Sequence, residues 1–307
     1  MEFSVLIGKM VIFSVLMLIG YVLARKGLLD RSFGRAASML TLNVFLPATI
    51  LNSVFVADMS LAPGELWKLM LLLFLTLFIG YGLGVVLGRL LPLGRDKTRG
   101  PVYELLIALS NTMFIGMPLA QELFGPVAVF YCALSGIPFN LYAYTYGVWR
   151  MKGGAGGALR IRNIFSIPLV ATLLAVLIFV FRLPVPGIVR SLASVLNGAT
   201  LPISLLVIGV SMGSVSLFDA FRNRELYLAS FLRNLAIPLV TWLVLRLFTD
   251  DSVLLMTCML LAASPSAVMV TIFAIQFDRD SVFAAEGVLQ STVLSIATIP
   301  FLLLLLG

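Results

Sequence analysis

Two stretches carry the side chains best suited to hold a small charged solute. One reads Ala108-Leu-Ser110-Asn111-Thr112-Met-Phe-Ile-Gly116-Met-Pro118, the other Ala262-Ala263-Ser264-Pro265-Ser266-Ala267. Asn111 offers two amide donors and a carbonyl acceptor, which suit a carboxylate without burying a charge. The same amide suits the capping of an interrupted helix, and the two roles are compatible. Ser264 and Ser266 add hydroxyls on either side of Pro265. Proline removes a backbone donor and crowds the preceding turn. Glycine weakens a helix further. Gly116, Pro118 and Pro265 are therefore expected to mark helix breaks. A half-helix starting at such a break aims N–H groups and a positive dipole end at an anion.

Other polar residues lie in long apolar runs. Asn140 occurs in Ile137-Pro138-Phe139-Asn140-Leu-Tyr142-Ala-Tyr144. A polar side chain at lipid depth turns toward protein, so Asn140 is expected either at the substrate or in an interhelix hydrogen bond. Tyr144, four residues on, shares its face. Glu286 is the one carboxylate expected well inside a span, with Gln290 one turn away. It is a candidate to carry a coupling proton or help hold sodium. The alternative places it near the membrane face, paired with Lys or Arg. Glu104 and Arg233 fall near the starts of their segments and are expected to be interfacial and snorkelling; for Arg233 the alternative is attraction of the anion.

Enzyme chemistry finds no support. The chain has no histidine, and Cys132 and Cys258 lie in separate apolar runs without CxxC spacing. No metal cluster, Ser-Lys pair or paired carboxylates stand within the apolar runs, so neither metal nor cofactor is expected.

The elements that must position these groups are membrane helices. Of 307 residues, 61% are hydrophobic and 11% charged. A soluble domain carries roughly 45–50% apolar and ~25% charged residues. A span needs about 20 apolar residues. Ten are expected: Phe3–Ala24, Ala36–Val56, Leu66–Leu91, Tyr103–Leu123, Val127–Trp149, Ile164–Phe181, Val189–Val215, Tyr227–Phe248, Ser252–Ile275 and Val282–Leu306. The first run lacks a basic leader and a small-residue cleavage site, so it reads as a retained span rather than a signal peptide.

Basic residues cluster after odd-numbered spans, at Arg25–Arg35, Arg89–Arg99, Arg150–Arg162, Arg222/Arg224 and Arg279. The other side holds only Lys9, Lys68, Arg182, Arg190 and Arg246. The odd loops are thus expected in the cytoplasm, with both termini extracytoplasmic, in a multi-pass protein of the plasma or inner membrane. This loop pattern, rather than nucleic-acid binding, accounts for the net charge of +7. Gly80, Gly84 and Gly88 form a GxxxGxxxG stripe that permits close helix approach.

Residues 151–163 combine glycines with basic side chains and read as a cytoplasmic linker between 1–150 and 164–307. Five spans on each side give the second half inverted topology, a recurrent transporter architecture. The sequence carries a faint echo of the repeat. Arg35 to Leu46-Pro47 recurs as Arg190 to Leu201-Pro202 at an offset of 155. Ser110 falls opposite Ser264 at 154, and Phe124…Val129-Phe130 opposite Phe277…Val282-Phe283 at 153.

Several of these motifs resemble the auxin efflux carrier family. The stretches are Asn43-Val-Phe-Leu-Pro47-Ala-Thr-Ile-Leu-Asn52, Ser110-Asn111-Thr112-Met-Phe-Ile-Gly116-Met-Pro118, Asn197-Gly-Ala-Thr-Leu-Pro202 with Gly209-Val-Ser-Met-Gly213, Ser264-Pro265-Ser266 and Gln290-Ser-Thr-Val-Leu-Ser295. The resemblance covers nearly the whole chain. The long hydrophilic central loop of the plant carriers is missing, which favours the bacterial branch of malate or organic-acid permeases. The resemblance implies an all-α fold of two inverted five-helix repeats, shared with sodium/proton antiporters and bile-acid symporters, with broken helices 4 and 9 crossing. It further implies a transport domain of spans 3–5 and 8–10, a scaffold of spans 1, 2, 6 and 7, and a homodimer through the scaffold. Asn43, Pro47, Asn52, Asn197 and Pro202 belong to that scaffold and face the site across the domain gap. Elevator-type transport of a small carboxylate is the expected function. The alternatives are a cation/proton antiporter of the same fold and a non-transporting membrane sensor.

Overall fold

The computed structural model describes residues 3–56, 66–91, 96–154, 165–213 and 215–306, with no side-chain description for residues 3–7 and Arg31. Most of the expected linker, 155–163, lies outside the described residues. Among the described residues the regular structure is helical, apart from one isolated bridge between Ser110 and Ser266.

The first half begins with α1 (Phe3–Arg25), then α2 (Arg31–Leu40) and α3 (Leu46–Val56), joined by a π-helical turn at Thr41–Phe45. Next come α4 (Leu66–Leu90), α5 (Gly100–Ala108) and α6 (Met117–Phe124), the last preceded by a π turn at Thr112–Gly116. A π turn at Ala143–Gly147 joins α7 (Pro126–Tyr142) to α8 (Val148–Met151).

The second half holds α9 (Ile167–Phe181), α10 (Gly187–Gly213) and the short α11 (Leu217–Arg222). A π turn at Leu232–Ala236 links α12 (Glu225–Phe231) to α13 (Ile237–Leu245). The chain closes with α14 (Ser252–Ala263), α15 (Met269–Gln276) and α16 (Ser281–Leu306).

Among the described residues, seven helices are long and apolar enough to cross a membrane. The other three expected spans take other forms. The sixth is α9, only 15 residues long. The fourth and ninth are each two short helices about a break.

Prolines explain three of the π turns. Pro47, Pro118 and Pro238 each stand two residues after one. The N–H of the residue just before each proline reaches back five residues: Leu46 to Thr41, Met117 to Thr112, Ile237 to Leu232. The wider turn draws the carbonyls away from the proline ring, which would clash in a regular helix.

Small residues set the closest packing. A Cβ on Gly84 would lie 2.6 Å from the Ala108 Cβ, and one on Gly88 2.9 Å from the Glu104 Cα. The glycine stripe of α4 thus seats the half-helix α5. Likewise α1 lies against α10 through Gly20, Gly209 and Gly213, where an added Cβ would fall within 2.0–2.5 Å of the opposite helix.

Candidate functional site

The two breaks have different local causes. Pro265 drives the residue before it out of the helical region, and Ser264 is extended with ψ 137°. The fourth segment breaks at Leu109–Asn111, where Leu109 has ψ 119° and Asn111 has φ −80°, ψ 64°. That lies upstream of Gly116 and Pro118, the expected break positions. Pro118 produces a π turn instead, and Gly116 serves close approach: a Cβ there would lie 2.9 Å from the Ser264 Oγ.

The breaks hold each other through backbone hydrogen bonds. The Asn111 N–H donates to the Pro265 carbonyl at 2.7 Å, and the Ala267 N–H to the Leu109 carbonyl at 2.9 Å. The Ser266 N–H donates to the Ser291 hydroxyl at 3.1 Å.

The carbonyls freed where α5 and α14 end also find donors, as buried backbone groups must. The Ser266 hydroxyl donates to the freed Leu106 carbonyl at 2.7 Å; the Ser264 hydroxyl adds a second bond, at 3.0 Å, to the Leu260 carbonyl, which already accepts from the Ser264 N–H. The remaining donor is Arg233. Its Nη1 donates to the carbonyls of Ile107 and Ala108, both at 3.0 Å, and its Nη2 donates to the Ala262 carbonyl. Arg233 is 2% exposed, so it neither snorkels nor sits at an interface as expected. Among the described residues it has no carboxylate partner. Two helix C-termini, each carrying about half a negative charge, balance it instead. The expectation failed because its partners are backbone carbonyls of distant segments.

A cavity of about 300 Å³ opens beside the crossing. Gly34, Arg35 and Ser38 of α2 and Ile208, Val210, Ser211 and Met212 of α10 form one wall. Asn111, Val268 at the start of α15, Thr271, and Ala285, Val288, Leu289 and Thr292 of α16 contribute to the other. Asn111 is 5% exposed, and its Nδ2 has no hydrogen-bond partner. A buried amide donor left unpaired costs about 1–3 kcal/mol, which a bound acceptor would recover. Among the described residues, the one charged side chain lining the cavity is Arg35.

Of the residues expected to contact substrate, this cavity takes only Asn111. Asn140 donates from Nδ2 to the Gly136 carbonyl of its own helix at 2.8 Å. Tyr144 packs edge-on against Phe273. The Ser266 hydroxyl bonds across the crossing, while the Ser264 hydroxyl stays within its own segment. Glu286 and Gln290 lie on a different face of α16 from the lining residues Ala285, Val288, Leu289 and Thr292. The Asn223 amide donates to Glu286 at 3.0 Å. Gln290 accepts from Ser230 at 3.0 Å and donates to the Ala220 carbonyl at 3.1 Å. The scaffold positions also miss the lining: Asn43 is exposed, Asn52 is buried, Asn197 is half-buried, and Pro47 and Pro202 lie within helical segments. Thr49 and Thr200, beside those prolines, share a hydroxyl hydrogen bond of 2.7 Å instead.

Sequence reading missed Arg35 as a site residue. Its one signal was the shared spacing of Arg35–Pro47 and Arg190–Pro202; otherwise it counted as a loop charge. Ser38, Ser211, Thr271 and Thr292 carried no signal that separates them from ordinary helix hydroxyls. Glu104 was misplaced too. It is fully buried, with Arg150 Nε donating to it at 2.6 Å, Arg89 Nε 3.7 Å away and the Tyr146 hydroxyl donating to its other oxygen. This cluster ties α4, α5 and the end of the α7–α8 segment together.

Comparison with known proteins agrees with an apolar membrane protein. The chain is 26% identical over 290 residues, 93% of both chains, to an uncharacterized transporter of Methanothermobacter thermautotrophicus. The profile of the membrane transport protein family matches residues 5–163 and 156–303. The chain therefore belongs to that family, the auxin efflux carrier family its motifs resemble, and is a multi-pass membrane transporter.

Proposed function

We propose that this chain is a secondary carrier of small organic anions that binds a carboxylate at the crossing of the two interrupted segments. The observation that carries the reading is the Asn111 amide, almost fully buried yet unpaired, on a cavity whose only charged lining side chain among the described residues is cationic. The first turn of α15 opens into the same space at Val268, bringing a positive helix end to it.

The proposal includes ten spans in two inverted halves, with both termini extracytoplasmic. In support, α5 ends at Ala108 and α14 at Ala263, 155 positions apart, the offset that also separates Pro47 from Pro202. Helices α4–α8 and α12–α16 would move as one body, with α1–α3, α9 and α10 as the scaffold and homodimer contact. The cavity follows that division. A second, apolar crevice of about 30 Å³ between Met10, Phe13, Met17, Leu205 and Ile296 continues the same seam. The larger cavity beside Arg35 and the smaller one beside Met10 suit a carrier facing the cytoplasm.

A cation/proton antiporter fits less well. Among the described residues no acidic side chain lines the cavity, and a buried guanidinium already stands at the crossing. The test is uptake and counterflow in proteoliposomes with a panel of carboxylates. Saturable counterflow that disappears in Asn111→Ala supports the reading. Proton or sodium exchange without any organic acid would overturn it.

A further inference from the structure

We propose that Arg35 is the specificity-determining residue of this cavity. It selects substrates with a second acidic group over monocarboxylates of the same length. The proposal rests on the carboxylate-carrier reading above.

The cavity has unlike walls. Asn111 borders the cavity on the wall formed with α15 and α16, and its Nδ2 is buried without a partner. Much of what lies between is aliphatic, including Ile208, Val288 and Leu289. Arg35 stands on the other wall, on α2, with no ion-pair partner among the described residues. The lining on α16 runs from Ala285 to Thr292, about 10 Å at 1.5 Å per residue. That length exceeds what one carboxylate can fill. Thr292 follows Ser291, whose hydroxyl accepts from the crossing, so this end of the cavity meets Asn111. A carboxylate held there leaves the rest of the cavity, bordered by the α2 wall that carries Arg35, to the remainder of the solute.

The position of Arg35 is fixed from both sides. A Cβ on Gly34 would sit 3.2 Å from the Val210 side chain, so α2 seats tightly on α10. Asp30 caps the same helix by accepting from the Phe33 N–H at 2.9 Å. A guanidinium on this base forms paired, charge-assisted hydrogen bonds with a terminal carboxylate. It gains little from a methyl group.

The test measures binding of butanedioate and butanoate to purified protein by calorimetry at neutral pH, for wild type, Arg35→Gln, Arg35→Lys and Asn111→Ala. Wild type should prefer butanedioate by about tenfold or more. Arg35→Gln should remove that preference by weakening butanedioate alone, and Arg35→Lys should keep part of it. Asn111→Ala should weaken both ligands. Arg35 is exposed, so its variants should elute and melt like wild type. Equal weakening of both ligands in Arg35→Gln would make Arg35 a general anion attractor and overturn the proposal. So would no change, or a wild-type preference for butanoate. Binding of neither ligand by wild type would overturn the carboxylate reading itself.

Discussion

The backbone N–H of Asn111 donates to the carbonyl of Pro265 at 2.7 Å, so each interrupted segment holds the other open. The Asn111 side chain borders the cavity and keeps its Nδ2 unpaired while its backbone completes the crossing. Truncation should then separate binding from folding. Asn111→Ala is expected to weaken carboxylate binding by roughly 10- to 100-fold, the range for a hydrogen bond to a charged group. Its thermal stability should stay near that of wild type or rise, because an unpaired buried donor has gone. Calorimetry beside a melting curve checks both halves. A large drop in stability would mean that the amide holds the helix ends rather than a ligand.

Arg233 is expected to matter most for stability. Arg233→Met would keep much of the bulk but leave the carbonyls of Ile107, Ala108 and Ala262 without their donor. At about 1–3 kcal/mol for each unsatisfied group, the loss should reach several kcal/mol. Arg233→Lys should recover part of it, since an ammonium donates but cannot reproduce the planar fork. Cys132 and Cys258 are free and buried, so a thiol-reactive fluorophore reports the unfolding directly. An unchanged midpoint in Arg233→Met would show that water satisfies these carbonyls equally well.

These two residues also show what the sequence could and could not tell. The ninth segment's break was legible because Pro265 acts locally on Ser264. The fourth segment's break was not, because no proline stands at Leu109–Asn111; the bend is stabilised by pairing with residues more than 150 positions away. Its nearest local signal, Gly116-Met-Pro118, marked the π turn that follows. Arg233 was visible as a charge in an apolar run, but the carbonyls that bury it belong to two other segments. The glycine stripe of α4 was legible as packing because its period is that of one helix face. Arg35 was hidden by its position at a helix start, where basic residues ordinarily mark the cytoplasmic side.

The glycine stripe gives a test of packing. Gly84→Val should be strongly destabilising, because even a Cβ would lie 2.6 Å from the Ala108 Cβ and 2.7 Å from its Cα. Such overpacking typically costs about 1–3 kcal/mol or more. Gly82 has nothing within 4 Å, so Gly82→Ala is the matched control and should leave the melting temperature unchanged or slightly raised. Equal melting of the two variants would mean that α5 yields to the added side chain.

The cap of α2 links stability to pH. Hydrogen bonds from the Phe33 N–H and the Ser32 hydroxyl hold the Asp30 carboxyl below its ordinary value of 3.8. A carboxylate whose pKa falls on folding stabilises the folded state fully above the unfolded value. That contribution is lost as pH falls through the lowered folded value. Asp30→Ala should therefore melt below wild type at neutral pH, and the gap should close as the pH drops below the ordinary carboxylate range. Because α2 carries Arg35, the same variant should also weaken butanedioate binding more than butanoate binding at neutral pH. A gap that widens in acid would reverse the sign of this linkage and remove Asp30 as the anchor of the helix that presents Arg35.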